Sequence, residues 1–325
     1  MNQTSLRLVF LDAATFGDVS FDRFKANWDC TIHPSSAPAE VPQRLKGYQT
    51  AVINKVVLGR SVLDLPEAKD LKLIAVAATG TDNVDLDAAR AHAIKVCNVP
   101  GYATHTVAQF TMAHLLELAT HAGRYGQLVR AGAWQQSPIF TRFDFPCVEL
   151  YGKKLGIVGY GAIGRLVAEM ARSLGMEVLI SSRPGSSGLI PEARLPFNDL
   201  LARSDVVTLH CPLTPQTRNL IDSRALALMK PTAFLINTAR GGLVDELALI
   251  NALSKKRLAG AALDVLTEEP PSSDHPIIRA TEELDNLLVT PHCAWTTSEA
   301  RQRLVDEVAQ NIMAFFQGQE RNCVA

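Results

Sequence analysis

Short β-rich runs alternate with helical patterns along almost the whole chain, and this alternation limits the folds open to it. Runs at 6–11, 51–58, 71–78 and 95–99 read as strands, with helical patterns at 21–28, 61–69 and 86–92 between them. Strands separated by helices favour parallel pairing, with helices covering both faces of the sheet. Pro100-Gly101 breaks the pattern, and one long helix is expected from about 106 to 130. Its apolar residues Val107, Phe110, Leu115 and Leu118 spread around most of the circumference, so burial between domains or subunits is expected. A second series follows, with strands at 154–158, 177–181, 205–210, 233–237, 259–265 and 286–289. It includes a helix at 162–174 and ends with an amphipathic helix at 298–316. The expected fold class is α/β: two doubly wound parallel-sheet lobes with a cleft between them.

Composition removes several function classes. A length of 325 residues suits about two domains, and 47% apolar residues without a long charge block argue against disorder. Lys plus Arg number 32 against 33 Asp plus Glu, a net charge of −1 that speaks against nucleic acid or an anionic membrane as the main partner. No stretch reaches the ~18 apolar residues of a membrane span. The apolar run at 8–11 is too short for a secretory signal. Cys323 is followed by two residues, so the tail is no prenylation box. The six cysteines are scattered without a Cys-x-x-Cys pair, which fits reduced thiols rather than a disulfide framework or a zinc site. A cytoplasmic location is expected. His114 and His121 stand seven apart, not at His-x-x-x-His spacing, so no metal site is expected; nor is there a nucleophile elbow for Ser-His-Asp chemistry.

The strongest local motif is Gly159-Tyr160-Gly161-Ala162-Ile163-Gly164, placed after the predicted strand 154–158 and opening the predicted helix 162–174. In such a loop the first glycine makes the tight turn, the second lets the backbone approach a pyrophosphate, and the third lets helix and strand pack closely. The helix start then offers free N–H groups, here on Ala162 and Ile163, to the phosphates. At the end of the next strand an NAD-preferring site usually carries an acid for the ribose hydroxyls. This chain reads Ile180-Ser181-Ser182-Arg183-Pro184 there, with Ser182 in the acid's place and Arg183 able to grip a 2′-phosphate. NAD(P) is therefore the expected cofactor, with NADP favoured over NAD.

Polar residues follow three further strands at what should be the same sheet edge. The run ending at Asn237-Thr238 leads to Ala239-Arg240-Gly241-Gly242; Leu263-Asp264-Val265 leads to Glu268-Glu269-Pro270; and Val289-Thr290 leads to Pro291-His292-Cys293. Each residue alone reads as a surface ion pair or a structural side chain. Together they suit hydride transfer to a 2-oxo acid. An arginine binds a carboxylate and polarises a carbonyl, a histidine gives the oxygen its proton, and a carboxylate holds the ring and favours its charged form.

These motifs, in this order and over nearly the whole chain, resemble the D-isomer-specific 2-hydroxyacid dehydrogenase family, and most of all its glycerate dehydrogenases, or hydroxypyruvate reductases. The resemblance implies a flavodoxin-like substrate lobe formed by 1–100 and 296–325, with a Rossmann cofactor lobe, 101–295, inserted between them. It implies catalytic roles for Arg240, Glu269 and His292, with Arg240 and His292 also touching substrate. Asp264 would contact the nicotinamide carboxamide, and Thr238 and Cys211 would line the cofactor. Ala78-Thr79-Gly80-Thr81-Asp82-Asn83-Val84-Asp85 resembles the family's substrate loop, in which Thr79 and Gly80 would hold a carboxylate through backbone N–H groups. The long helix would form a homodimer interface.

Departures from relatives narrow the substrate. Formate dehydrogenases of this superfamily pair the histidine with Gln, whereas this chain has Glu269; no basic cluster near Thr79 invites a phosphate-bearing substrate. Hydroxypyruvate or glyoxylate fits, giving glycerate or glycolate. Trp134, Phe140 and Trp295 are candidates for the pocket wall. Two rival readings are a D-lactate or broad 2-keto acid reductase and a dinucleotide-sensing protein resembling the corepressors that share this scaffold.

Overall fold

The computed structural model describes residues 6–182 and 193–325. Two compact units emerge, Met1–Ala103 with Thr296–Ala325, and Thr104–Trp295. The first carries a five-stranded parallel sheet of β1 (Arg7–Phe10), β2 (Asp29–Ile32), β3 (Thr50–Ile53), β4 (Leu73–Val76) and β5 (Lys95–Cys97), in the order β2-β1-β3-β4-β5. This is the flavodoxin-like order, with its reversal between β1 and β3. Strands β3 and β4 are buried throughout, which is why they read as continuous apolar runs. The closing helix Ser298–Phe316 begins where Thr297 caps the Ala300 N–H, and it buries Leu304, Val305, Val308 and Ile312.

Two expectations for this unit need correction, and one strand lies outside them. The run 51–58 is strand only to Ile53, because the buried Asp12 carboxylate accepts the N–H groups of Asn54, Lys55 and Val56 and turns the chain out of the sheet. The helix expected at 61–69 is split into Arg60–Leu63 and a 3-10 turn Pro66–Ala68, since Pro66 can donate no helical hydrogen bond. Strand β2 escapes a sequence reading because Asp-Cys-Thr-Ile is only four residues long at a sheet edge, too short for its alternation to stand out.

The second unit holds a six-stranded parallel sheet of β6 (Lys154–Val158), β7 (Glu177–Ile180), β8 (Val206–Leu209), β9 (Phe234–Asn237), β10 (Gly260–Leu263) and β11 (Leu287–Val289). Its order is β11-β10-β9-β8-β6-β7, and a single parallel bridge from Ser181 to Leu195 extends it beyond β7. The order reverses between β7 and β8 on either side of β6, a dinucleotide-binding arrangement with its ligand crevice above the carboxyl end of β6. Separate apolar clusters fill the two faces, one around Leu200, Leu235 and Leu263, the other around Leu155, Val167 and Ile236.

The single helix expected at 106–130 is two, Thr104–Thr120 and Ala122–Arg130. His121 sits in the left-handed region at φ 52, which no helix can continue through, and the Glu117 carboxylate accepts the Gly123 N–H at the new start. Val107, Leu115 and Leu118 of the first helix are buried, and that helix lies against β9, β10 and helix Ala162–Ser173 of its own unit. Its inward apolar residues are thus covered inside the fold, while Leu116 on the same helix stays 41% exposed. No residue of the second helix is buried. Among the described residues no helix is long and apolar enough to cross a membrane.

Candidate active site

Because all six strands of the second unit run parallel, their carboxyl ends form one edge, and every sequence-predicted residue of this unit that lies among the described residues and follows a strand is found there. The glycine loop caps β6. Gly159 has φ +100, and a Cβ on it would stand 2.5 Å from the Cys211 backbone N–H nitrogen, so only glycine can let the loop cross the end of β8. A Cβ on Gly164 would collide with the Gly159 carbonyl oxygen, which locks helix Ala162–Ser173 onto its strand. Gly161 differs: nothing stands within 4 Å of a Cβ there, and Gly161 and Ala162 are exposed. Packing therefore does not demand this glycine. It leaves the helix start, which no side chain caps, open to the approach of an anion. The residues present fit a dinucleotide.

That contrast yields a prediction. Gly161→Ala is expected to leave Tm unchanged yet weaken NADH and NADPH binding about tenfold, the equivalent of one crowded contact. Gly164→Ala, pressed against the backbone, should lose about 1–3 kcal/mol of stability instead. Fluorescence titration and thermal melts separate the two effects.

Ser182, after β7, is buried and donates its N–H to the Leu195 carbonyl at 2.7 Å. Arg183 lies outside the described residues. After β8, the Cys211 side chain joins the apolar core, and burial pushes its thiol up to about 11. Burial likewise pushes the neighbouring His210 imidazole down to about 4. Thr238, after β9, is buried and spends its hydroxyl on Thr111 of helix Thr104–Thr120 at 2.9 Å.

Arg240 is set in place by Asn237, whose side chain closes the turn from both sides. Its Nδ2 donates to the Arg240 carbonyl at 2.9 Å, and its Oδ1 accepts the Ala239 N–H at 3.0 Å. An Asn at a strand end ahead of a turn is the signal that could have marked this role. Gly241 then presses on the next loop, where a Cβ would collide with the Leu266 carbonyl group. Leu266 in turn donates its N–H to Glu269 Oε1 at 2.9 Å, so the arginine and glutamate loops are built against each other.

Glu269 Oε2 lies 2.6 Å from His292 Nδ1. With that carboxylate oxygen accepting, Nδ1 carries a proton and Nε2 becomes the nitrogen that exchanges one with a ligand. His292 itself stands at φ 51, with its N–H donated to the Asp264 carbonyl at 2.8 Å.

Asp264 does more than the sequence suggests. Its buried carboxylate accepts the Thr290 hydroxyl at 2.6 Å and the N–H groups of Cys293 and Ala294 at 3.0 and 2.9 Å, stapling the turn that presents His292. His114 adds to this from the helix side. Its Nε2 lies 3.2 Å from the Thr290 hydroxyl, whose proton goes to Asp264, so Nε2 is the donor. Burial lowers the His114 pKa and keeps the ring neutral. His114 does not stand out from sequence as part of the site, and Thr290 is legible there only as a polar strand end, not as the partner of His114 and Asp264.

Thr79 and Gly80 belong to the first unit, after β4, where the Thr79 hydroxyl donates to the Val99 carbonyl and Asn98 Nδ2 donates to the Thr79 carbonyl. Trp134 and Phe140 come together: the indole N–H donates to the Phe140 carbonyl, and both line an open groove of about 330 Å³ with Tyr125, Leu128 and Val129. Trp295 is half-buried at the end of the second unit.

A sequence profile of the D-isomer specific 2-hydroxyacid dehydrogenase NAD binding domain matches residues 112–294. The chain is 42% identical over 322 residues to a glycerate dehydrogenase from Methylorubrum extorquens, covering 98% of each chain. It is 34% identical to a hydroxypyruvate reductase from Blautia hydrogenotrophica, covering 98% of this chain and 99% of that one. Among solved structures, the TT0316 protein from Thermus thermophilus superposes with a TM-score of 0.85 at 33% identity, covering 98% of this chain and 100% of the other.

Proposed function

From the premise that the chain belongs to the D-isomer-specific 2-hydroxyacid dehydrogenase family, we propose that it reversibly reduces a small 2-oxo acid, hydroxypyruvate or glyoxylate, to the D-2-hydroxy acid, glycerate or glycolate, with NAD(P)H. The observation that carries this reading is the His292–Glu269 pair, 2.6 Å apart at the strand-end edge that also bears the glycine loop. A bound nicotinamide supplies the hydride. His292 Nε2 gives the carbonyl oxygen its proton while Glu269 holds Nδ1–H and balances the ring's charge. Arg240 binds the carboxylate and polarises the carbonyl. Thr79 and Gly80 are assigned to the substrate carboxylate as backbone donors. Gly159, Gly161, Ala162, Ile163 and Gly164 receive the pyrophosphate, and Asp264 the carboxamide.

NADP is the proposed preference. Ser182 leaves no carboxylate to repel a 2′-phosphate, and Arg183 follows it in the chain. A homodimer is also proposed, through the expected long helix 106–130: no residue of its second part, Ala122–Arg130, is buried, and Tyr125, Leu128 and Val129 there line a groove with Trp134 and the 90% exposed Phe140, an apolar surface that a second copy would cover. The proposed location is cytoplasmic.

The test is a kinetic matrix of hydroxypyruvate, glyoxylate and pyruvate against NADPH and NADH. We expect turnover above about 1 per second with hydroxypyruvate or glyoxylate, in the ordinary enzyme range. Turnover below about 1 per minute on all three would favour the dinucleotide sensor, given typical enzyme rates. A higher kcat/KM for pyruvate would make the protein a D-lactate or broad 2-keto acid reductase. Arg183→Ala that kept its NADPH affinity would overturn the NADP assignment.

A further inference from the structure

The last four residues fold back along β5, the edge strand of the first sheet. Asn98 donates its N–H to the Asn322 carbonyl at 3.1 Å, and Val324 donates its N–H to the Val96 carbonyl at 2.8 Å. These two bonds flank an antiparallel bridge between Cys97 and Cys323, 226 positions apart. The cysteines thus form a pair that exchanges no backbone hydrogen bond with itself, the arrangement that brings opposing Cα atoms to about 4.5 Å with both side chains on one face. That spacing lies within the range a disulfide spans without backbone movement. Both cysteines are free, and their sulfurs stand 3.1 Å apart.

The tail is held in this register independently of the thiols. Arg321 bonds Asn311 and Glu307 of the closing helix, Asn322 Nδ2 donates to Asn311 Oδ1 at 3.0 Å, and Val324 and Ala325 rest on the apolar core of the unit. A bond between the sulfurs therefore asks for almost no reorganisation.

We propose that Cys97 and Cys323 are a reversible disulfide site, oxidised by a low-molecular-weight disulfide of the glutathione type. Cys323 is the half-exposed partner, whereas Cys97 is buried and its thiol is pushed up to about 12 by that burial, so Cys323 reacts first. Its thiolate attacks one sulfur of glutathione disulfide, forming a mixed disulfide and expelling glutathione thiolate, which takes up the thiol proton. Cys97 then yields its proton and attacks the Cys323 sulfur, expelling a second glutathione. Two protein thiols are oxidised, and one glutathione disulfide is reduced to two glutathiones. The product ties the tail to β5 immediately before Asn98, whose side chain donates to the Thr79 carbonyl and whose carbonyl accepts from Asn311. The C-terminal tail and the Thr79 loop would then share one covalently fixed support.

The full chain is incubated with glutathione disulfide, alkylated, and mapped as unreduced peptides. The expected result is a linked peptide pair containing Cys97 and Cys323 that dithiothreitol separates, together with a Tm raised by roughly 4 °C or more for so long a closed loop. Cys323→Ser should lose both the link and the Tm rise, and Cys147→Ser, at an exposed thiol, should keep them. Glutathione adducts without the Cys97–Cys323 link would overturn the proposal, as would an equal Tm rise in Cys323→Ser.

Discussion

His292→Ala is expected to lower kcat by at least about a hundredfold, the lower bound of what a positioned general acid contributes. The imidazole is the group at the strand-end edge whose free-facing nitrogen can pass a proton, and Glu269 fixes which nitrogen that is. Alanine also changes the backbone, since position 292 stands at φ 51 and asparagine tolerates that region better than alanine. His292→Asn therefore serves as the companion variant. It keeps the turn stapled by Asp264 while removing the proton donor. If both variants lose activity together, chemistry was lost; if only the alanine variant does, the turn was. Glu269→Gln should fall by about tenfold or more, because an amide still accepts from Nδ1–H but no longer balances the charge the ring acquires. Steady-state kinetics at saturating cofactor, with Tm as a control, reads all three. Wild-type kcat in His292→Asn across neutral pH would remove His292 from the mechanism.

Sequence reaches the parts of this site that depend on local patterns. The glycine loop between strand and helix is a short-range signal, and parallel strands then bring Arg240, Asp264 and His292 to one edge by topology alone. What stays hidden depends on side chains meeting across long separations. Asp12 shapes the chain 42 to 44 positions later, His114 reaches Thr290 across 176, and Cys97 meets Cys323 across 226. No periodicity encodes such partners. The break at His121 is hidden for another reason: the sequence around it has no proline, and the signal is a single left-handed residue with Glu117 reaching forward to cap Gly123. The loop motif separates its own glycines, with backbone crowding Gly159 and Gly164 and open space at Gly161, whereas Gly241 belongs to no such motif and its press on Leu266 is opaque from sequence.

Arg240→Gln is expected to lose about a hundredfold to a thousandfold in kcat/KM, the scale seen when a charged or oriented donor is removed from a developing oxyanion. The backbone around Arg240 is firmly set. Asn237 brackets the turn, one guanidinium nitrogen of Arg240 donates to the Ala239 carbonyl at 2.8 Å, and Gly241 abuts the Leu266 backbone, which orients Glu269. A guanidinium so placed offers a planar fork to a carboxylate and its neighbouring carbonyl. Arg240→Lys keeps the charge but replaces the fork with a single flexible donor, so it should recover only part of the loss. The split between constants locates the effect. A rise in KM alone would assign Arg240 to carboxylate binding, whereas equal falls in kcat and kcat/KM would assign it to polarising the carbonyl in the transition state. Because Asn237 and Gly241 hold the turn through backbone atoms, Tm should stay near that of the wild type in both variants. An Arg240→Lys enzyme within about threefold of wild-type kcat/KM, a difference below about 1 kcal/mol, would mean that charge alone suffices and the fork has no part in the reaction.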